Sequence, residues 1–134
     1  VFQDYKLLPN KTVFDNVAFV MEACDYDLPE IVSCVPEALK ALEIQELQDH
    51  FPHELSGGEA QRVALARAMV HKPKIILADE PTGNLDINNA KNVLKHLIKM
   101  NMNGSMVILT THNKPLVDLI SQKVWYLEDG KIRA

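Results

Sequence analysis

Two adjacent carboxylates are the residues of this chain best placed to do chemistry. Asp79 and Glu80 follow a four-residue apolar run at 75–78 and precede the turn-forming sequence PTGNLD at 81–86. A short apolar run between prolines predicts a buried strand, and carboxylates at the C-terminal end of a parallel strand face the crevice where such sheets bind ligands. Carboxylates placed there can hold a divalent cation or act as a general base, although two adjacent acids can also merely cap a strand next to a turn.

A glycine-rich helix start supplies a second group. Residues 55–62 have the sequence LSGGEAQR, in which Ser56 and Glu59 form the capping-box pattern that begins a helix. Gly57 and Gly58 let the backbone approach a ligand closely, and the free amides and dipole of a helix start favour an anion such as phosphate. A capping box alone would also explain Ser56 and Glu59, without any ligand.

Three further polar residues are candidates through their positions. His112 follows the apolar run at 106–110, Gln3 lies near the beginning of the sequence, and Asp86 is placed to cap the helix after it. A lone histidine at a strand end is usually structural, and a single glutamine carries no signal. Their residue types alone therefore assign them no chemistry.

Hydrophobic spacing predicts helices first and then an α/β arrangement. Helices are predicted from Thr12 as N-cap to about residue 24, at 29–42 with a kink or division at Pro36, and from Ser56 to about residue 71. The order of the remaining elements is strand, helix, strand, helix and strand, at about 75–78, 87–98, 106–110, 114–120 and 124–127. We expect the first two strands to be buried on both faces of a parallel sheet, and a tight hairpin turn at 128–131.

Composition limits the class of protein. The chain has 134 residues, 47% of them apolar and 24% charged, with a net charge of −4. These values suit one domain or a large part of one, and a net negative charge gives no electrostatic footprint for nucleic acid. Two cysteines make no disulfide framework. No stretch approaches the roughly 18 apolar residues of a membrane span, so we expect another chain to supply any membrane spans.

The two motifs, in this order and spacing, resemble the nucleotide-binding domain of ABC ATPases, and the resemblance covers nearly the whole chain. It implies part of a P-loop NTPase fold, α/β with a parallel-sheet core and an inserted helical subdomain. The subdomain is expected at about 10–70 and the α/β part at about 71–134. No Gly-x-x-x-x-Gly-Lys-Ser/Thr sequence occurs, so the Walker A strand and loop are absent. We therefore expect the chain alone to bind ATP weakly and to be inactive.

The resemblance also implies a role for each candidate, with ATP and Mg²⁺ as ligands. Catalytic roles fall to Glu80, as the base that polarises water, and to His112, which reaches the γ-phosphate. Asp79 and Gln3 are the implied Mg²⁺ contacts. The implied ATP-binding residues, several of which act on the site of a partner subunit in a homodimer, are Gln3, Ser56, Gly57, Gly58, Glu59 and Asp86.

Within the family, the chain most resembles bacterial cell-division ATPases, at residues 1–9, 12–18 and 111–118. This implies an ATPase in the cytoplasm, peripheral on the inner face of the plasma membrane, docked on an integral, permease-like membrane partner. The motif at 79–86 is shared with lipoprotein-releasing and macrolide-exporting relatives, which remain alternatives. The missing Walker A loop also leaves open a non-catalytic interaction module.

Two surfaces are expected to contact other chains. Residues 4–14 hold a dense run of apolar and aromatic residues in a segment predicted to be loop, which suggests the surface for the membrane partner: Tyr5, Leu7, Leu8, Val13 and Phe14. The alternative is that these side chains only seat the loop on the helical subdomain. The strands at 75–79 and 106–110 would expose an unpaired edge and a bare apolar face without the Walker A strand, so we expect the chain alone to form an intertwined oligomer or to fold poorly.

Overall fold

The computed structural model describes residues 1–118, 120 and 122–133. Its helices are α1 (Val13–Ala23), α2 (Leu28–Ala41), α3 (Gly57–Met69), α4 (Ile87–Met102) and α5 (Lys114–Val117). Its strands are β1 (Ile75–Asp79), β2 (Met106–Thr110), β3 (Tyr126–Glu128) and β4 (Lys131–Arg133). Two single-turn 3₁₀ helices, Gln45–Leu47 and Pro52–Glu54, connect α2 to α3. None of the helices in these ranges is long and apolar enough to cross a membrane.

Side-chain caps set the starts of the longer helices. Thr12 and Ser56 form capping boxes with Asp15 and Glu59, as the sequence predicts. Asp86 accepts hydrogen bonds from the first amides of α4. The start of α2 is at Leu28, one residue before the predicted Pro29, because Asp27 is its cap.

Of the kink or division expected at Pro36 in α2, the division does not occur. The helix is continuous from Leu28 to Ala41 with Pro36 inside it. Proline removes the N–H that would bond the carbonyl four residues earlier. That residue is Val32, whose side chain is 55% exposed, so water can reach this side of the helix and satisfy the freed carbonyl.

The main core lies where α1, α2 and α3 meet, and it continues to β1 and α4. Its most completely buried residues include Val13, Val17, Met21, Val35, Leu39, Val63 and Leu65. Burial of such side chains is worth about 1.5–3 kcal/mol each before the cost of ordering the chain. This core seats α3 against α4, and it thereby fixes the glycine-rich start of α3 relative to the strands.

The sheet is parallel, as predicted, and its register places two polar residues together. β1 pairs with β2 from Ile75 opposite Met106 to Asp79 opposite Thr110. The third predicted strand does not join this sheet. It begins at Tyr126 and forms a separate antiparallel pair with β4, around a turn in which Asp129 and Gly130 have φ values of 50° and 73°.

The expectation that both strands are buried on both faces is wrong. Ile76 and Ala78 are buried, but Leu77 is 63% exposed, and Ile108 on β2 is 44% exposed. Side chains alternate across a strand, and the helices in the described ranges cover one face of this sheet. We call the other the open face; its apolar residues are Ile75, Leu77, Met106 and Ile108.

The predicted surface at residues 4–14 is only partly exposed. Val13 belongs to α1 and is fully buried, while Leu7 and Phe14 pack against the main core. These three side chains therefore seat the segment on the helices, and Val13 cannot touch a partner. Tyr5 and Leu8 keep intermediate exposure.

Candidate active site

The two strand ends form what we call the carboxylate cluster, which comprises Asp79, Glu80, Thr110 and His112. The Thr110 hydroxyl donates a hydrogen bond of 2.5 Å to Asp79 Oδ1. The amide of Glu80 donates to the Thr110 carbonyl at 3.1 Å and approaches its hydroxyl at 3.3 Å. Thr110 thus fixes the positions of both adjacent carboxylate residues.

Glu80 turns the chain out of the strand and contacts His112 directly. Its φ of 44° is in the left-handed region, which is uncommon for a residue with a side chain. Its Oε1 lies 2.7 Å from His112 Nδ1, a distance at which a ring N–H donates to a carboxylate. Its Oε2 is buried without a hydrogen-bond partner within the described residues. One oxygen is therefore held by His112, and the other is buried with an unmet capacity to accept a hydrogen bond.

Gln3 lies on the turn that follows Glu80. Its Nε2 is 3.4 Å from Asn84 Oδ1, and Asn84 Nδ2 donates to the Gln3 carbonyl at 3.2 Å. A Cβ at Gly83 would lie 2.8 Å from Gln3 Nε2, so glycine is required for this close approach. The predicted glutamine is thus placed next to the carboxylate cluster.

The start of α3 is arranged around Ser56 and Glu59. The Ser56 hydroxyl donates to Glu59 Oε2 at 2.6 Å and the Ser56 amide at 2.7 Å. These bonds, the hydroxyl one first, lower the pKa of Glu59. Because the hydroxyl proton is used within the chain, the donors left for an anion are the first-turn amides of Gly57 and Gly58.

Asn89 connects this helix start to Asp86. A Cβ at Gly58 would lie 2.6 Å from Asn89 Oδ1, while Asn89 Nδ2 makes a short hydrogen bond to Asp86 Oδ2. Asp86 Oδ1 also accepts from the amides of Asn88 and Asn89. These bonds, led by the Asn89 side chain, lower the pKa of Asp86. Gly58 and Asp86 therefore share one small contact region.

The predicted residues thus form two groups. Asp79, Glu80 and His112 gather at the ends of β1 and β2 with Gln3 beside them. Ser56, Gly57, Gly58, Glu59 and Asp86 gather at the starts of α3 and α4. Within the described ranges, no hydrogen bond or salt bridge joins Ser56 or Glu59 to the carboxylate cluster.

The donor set fits a magnesium ion that is shared with phosphates. Mg²⁺ is usually held by one or two carboxylates together with substrate phosphates and waters. The exposed Asp79 and the amide oxygen of Gln3 fit this mode. Among the described residues, no group of three or more His, Cys, Asp or Glu side chains could form an all-protein metal cage.

Sequence reasoning missed three residues that organise the site. Thr110 could have been found, because aligning the two predicted parallel strands by their ends places it beside Asp79. Asn84 and Asn89 act through contacts with Gln3 and Gly58. Neither asparagine has a sequence signal of its own.

Comparison with known proteins agrees with this geometry. Residues 1–83 match the family described as ABC transporter, and the chain belongs to that family. Its fold is therefore part of the α/β P-loop NTPase fold, as the resemblance implies.

Several curated relatives are cell division ATP-binding proteins FtsE. That of Streptococcus pneumoniae strain D39 is 43% identical over 132 residues, which cover 98% of this chain and 57% of the relative. That of Bacillus subtilis is 45% identical over 98% of this chain and 58% of the relative. The methionine import ATP-binding protein MetN of Legionella pneumophila is 41% identical, over 98% of this chain and 39% of that protein. The chain spans less than three-fifths of the length of these relatives, and the resemblance to bacterial cell-division ATPases predicted from the sequence is confirmed.

Proposed function

We propose that this chain is part of an ATPase subunit that couples ATP hydrolysis to an integral membrane partner, an FtsX-like permease, in bacterial cell division. The support for the division role is the 43–45% identity to FtsE proteins across 98% of the chain. The support for hydrolysis is the site itself. The intact protein would act in the cytoplasm, peripherally on the inner face of the plasma membrane, without nucleic acid.

The observation that carries the proposal is the environment of Glu80. His112 holds Oε1 at 2.7 Å, while Oε2 is buried and has no partner among the described residues. A carboxylate oriented in this way can take the proton of a water molecule that attacks the γ-phosphate. The bond to Nδ1 leaves Nε2 of His112 outside this contact, and when that nitrogen carries a proton its N–H can donate to the phosphate.

Magnesium and ATP complete this proposal. Asp79, oriented by Thr110, and Gln3 would hold Mg²⁺, which supplies neutralisation of phosphate charge. ATP would also contact the start of α3, where the amides of Gly57 and Gly58 would donate to phosphate and the capping box of Ser56 and Glu59 would hold them in place, and the region of Asp86. Since this group makes no direct bond to the carboxylate cluster within the described residues, we propose that it completes the site of a second copy in a homodimer.

We propose that two parts of the chain have separate roles, in agreement with this arrangement. Residues from about 10 to 70 would form the helical subdomain that carries the start of α3 and faces the membrane partner. Residues from about 71 to 134 would carry the carboxylate cluster and perform the chemistry. Movement of one part relative to the other would then couple hydrolysis to the partner.

The test is Glu80→Gln in the intact protein with its phosphate-binding loop. The substitution keeps the shape of the side chain and removes the base, so turnover should fall by about 10²–10⁴-fold while ATP binding persists and an ATP-bound dimer accumulates. Glu22→Gln, at an exposed position on α1, is the matched control and should keep normal turnover. Near-normal hydrolysis by Glu80→Gln would assign the base elsewhere, with His112 as the next candidate.

A transport role is the second candidate. The 41% identity to a methionine import ATPase shows that this chain is similar to transport ATPases almost as closely as to FtsE. A lipoprotein-releasing or macrolide-type exporter ATPase would use the same site chemistry. The membrane protein that co-purifies with the intact ATPase separates the two: an FtsX-like permease supports division, and a transport permease supports export or import. If no permease co-purifies and the intact protein does not hydrolyse ATP, a non-catalytic interaction module is favoured.

A further inference from the structure

The segment from Gln3 to Leu8, which we call the strap, connects the carboxylate cluster to α1. At one end, Gln3 and Asn84 bond each other. At the other, the Leu8 amide donates to Asn16 Oδ1 at 2.8 Å, and Asn16 Nδ2 donates back to the Leu8 carbonyl at 3.1 Å. Asn16 is fully buried in α1. Both ends of the strap are therefore fixed to different parts of the molecule.

The middle of the strap has a strained backbone. Tyr5 and Lys6 have φ values of 61° and 48°, so two consecutive residues with side chains occupy the left-handed region. Such conformations persist only where the surroundings hold them. The ion pair between Lys6 and Asp4 is exposed at both partners, and exposed pairs contribute little. Two backbone bonds lie within the bend, from the Tyr5 amide to the Phe2 carbonyl at 3.3 Å and from the Lys6 amide to the Asp4 carbonyl at 2.6 Å, but neither fixes the bend to the rest of the molecule.

Arg67, in the last turn of α3, makes the contacts that hold the bend. Its Nη1 donates to the Lys6 carbonyl at 2.6 Å and its Nη2 to the Tyr5 carbonyl at 2.7 Å. A planar guanidinium presents two parallel N–H donors to two neighbouring acceptors, which a lysine ammonium cannot match. Burial lowers the pKa of Arg67, but arginine remains charged at any working pH.

The other end of α3 also lies against the strap. A Cβ built at Gly57 would be 3.0 Å from the Tyr5 hydroxyl. The N-terminal end of α3 therefore touches the strap, and Arg67 in the last turn of the same helix bonds to it. A shift of α3 relative to the sheet would pull on Tyr5 and Lys6, and through them on Gln3.

We propose that Arg67 is a positioning residue that locks the bend at Tyr5 and Lys6, so that the placement of Gln3 beside the carboxylate cluster depends on the placement of α3. The catalytic consequence rests on the function proposed above. The structural part of the proposal, that Arg67 holds the strap, does not depend on that function. Arg67 would thus transmit the position of the start of α3 to the residue that contacts Mg²⁺ in its own chain.

The test is Arg67→Lys in the intact protein, with Arg62→Lys on the same helix as the matched control. Hydrogen exchange of the amides in residues 3–8, without nucleotide, should become about tenfold faster in Arg67→Lys and stay unchanged in Arg62→Lys. The kcat for ATP hydrolysis should fall about tenfold while KM for ATP changes less than twofold. Adding Lys6→Gly should recover part of kcat, because glycine adopts a positive φ without strain.

Each outcome decides the proposal. Unchanged exchange at residues 3–8 would overturn it, whatever the hydrolysis rate, and so would faster exchange with normal kcat. Equal losses in kcat and ATP affinity, together with a lower melting temperature, would indicate a merely structural arginine. A wild-type protein without ATPase activity would refute the proposed function, while the exchange result would still test the hold on the strap. If Arg67→Lys does not fold, Arg67→Gln, which keeps one amide donor group, is judged by the same exchange criterion.

Discussion

His112 Nδ1 lies 2.7 Å from Glu80 Oε1, and the two side chains differ greatly in burial: His112 is 82% exposed and Glu80 only 23%. Glu80 is therefore the fixed partner of this contact. The imidazole can leave without opening the core, whereas Glu80 is held in place by its bonds to Thr110. A fixed carboxylate beside an exposed histidine suits the roles proposed above, in which Glu80 is the base and His112 reaches a phosphate.

Thr110→Val should weaken Mg²⁺ binding by the intact protein more than it weakens folding. Valine keeps the shape of threonine but loses the hydroxyl that donates to Asp79. Loss of a bond that orients a metal ligand commonly costs about 10–100-fold in metal affinity. We expect the Mg²⁺ concentration for half-maximal hydrolysis by the intact protein to rise by about that factor. Thr111→Val is the control, and an unchanged Mg²⁺ dependence in Thr110→Val would contradict the role of the hydroxyl.

Leu8→Asp should reduce binding of the membrane partner without unfolding the protein. Leu8 keeps intermediate exposure, whereas Phe14 packs against the core, so Phe14→Asp is expected to cost stability as well as binding. Co-purification with the permease measures the effect, and Val32→Asp on the exposed side of α2 is the control. If a folded, ATP-competent Leu8→Asp protein retains the partner, the interface lies elsewhere.

His96→Gln should reduce the loss of unfolding free energy that occurs as the pH is lowered. Burial lowers the pKa of His96 from 6.5; Arg62, Lys95 and Lys99 add to the lowering, and Glu43 opposes it. The unfolded chain therefore takes up this proton at a higher pH than the folded chain, and stability falls as pH drops through and below about 6.5. Urea unfolding of the intact protein at pH 7.5, 6 and 5 should show a smaller loss in His96→Gln than in wild type. His53→Gln, at an exposed position, should keep the wild-type slope; equal slopes for all three would contradict the assignment.

The open face of the sheet predicts self-association of the 134-residue chain. Leu77 and Ile108 are 63% and 44% exposed, and among the described strands β2 pairs on one edge with β1. Exposed apolar strands recruit other chains. Sedimentation of mass-verified protein should show oligomers, and Leu77→Lys with Ile108→Lys should reduce them. A stable, cooperatively unfolding monomer would contradict this prediction.

Features that depend on a few neighbouring residues could be predicted from the sequence. The caps at Thr12, Ser56 and Asp86 follow from local hydrogen-bonding patterns, and the parallel pairing of β1 with β2 follows from the strand–helix–strand order. Burial of the strands does not follow from their apolar runs alone, because it depends on what covers each face; the exposed apolar face is expected only from the resemblance, through the absent Walker A strand. The bond from Arg67 to the Lys6 carbonyl spans 61 positions, and no local pattern reports a contact of that range.

The close approach of Gly58 and Asn89 has an evolutionary consequence. Since a Cβ at position 58 would meet the Asn89 side chain at 2.6 Å, the size allowed at one position is set by the residue at the other. The two positions should therefore covary among homologues, and their substitutions should be epistatic. Gly58→Ala alone should be more damaging than Gly58→Ala combined with Asn89→Gly, even though the second change also removes a side-chain bond to Asp86. The side-chain size allowed at position 58 is thus limited by Asn89 of the same chain, whether or not Gly58 also contacts a phosphate.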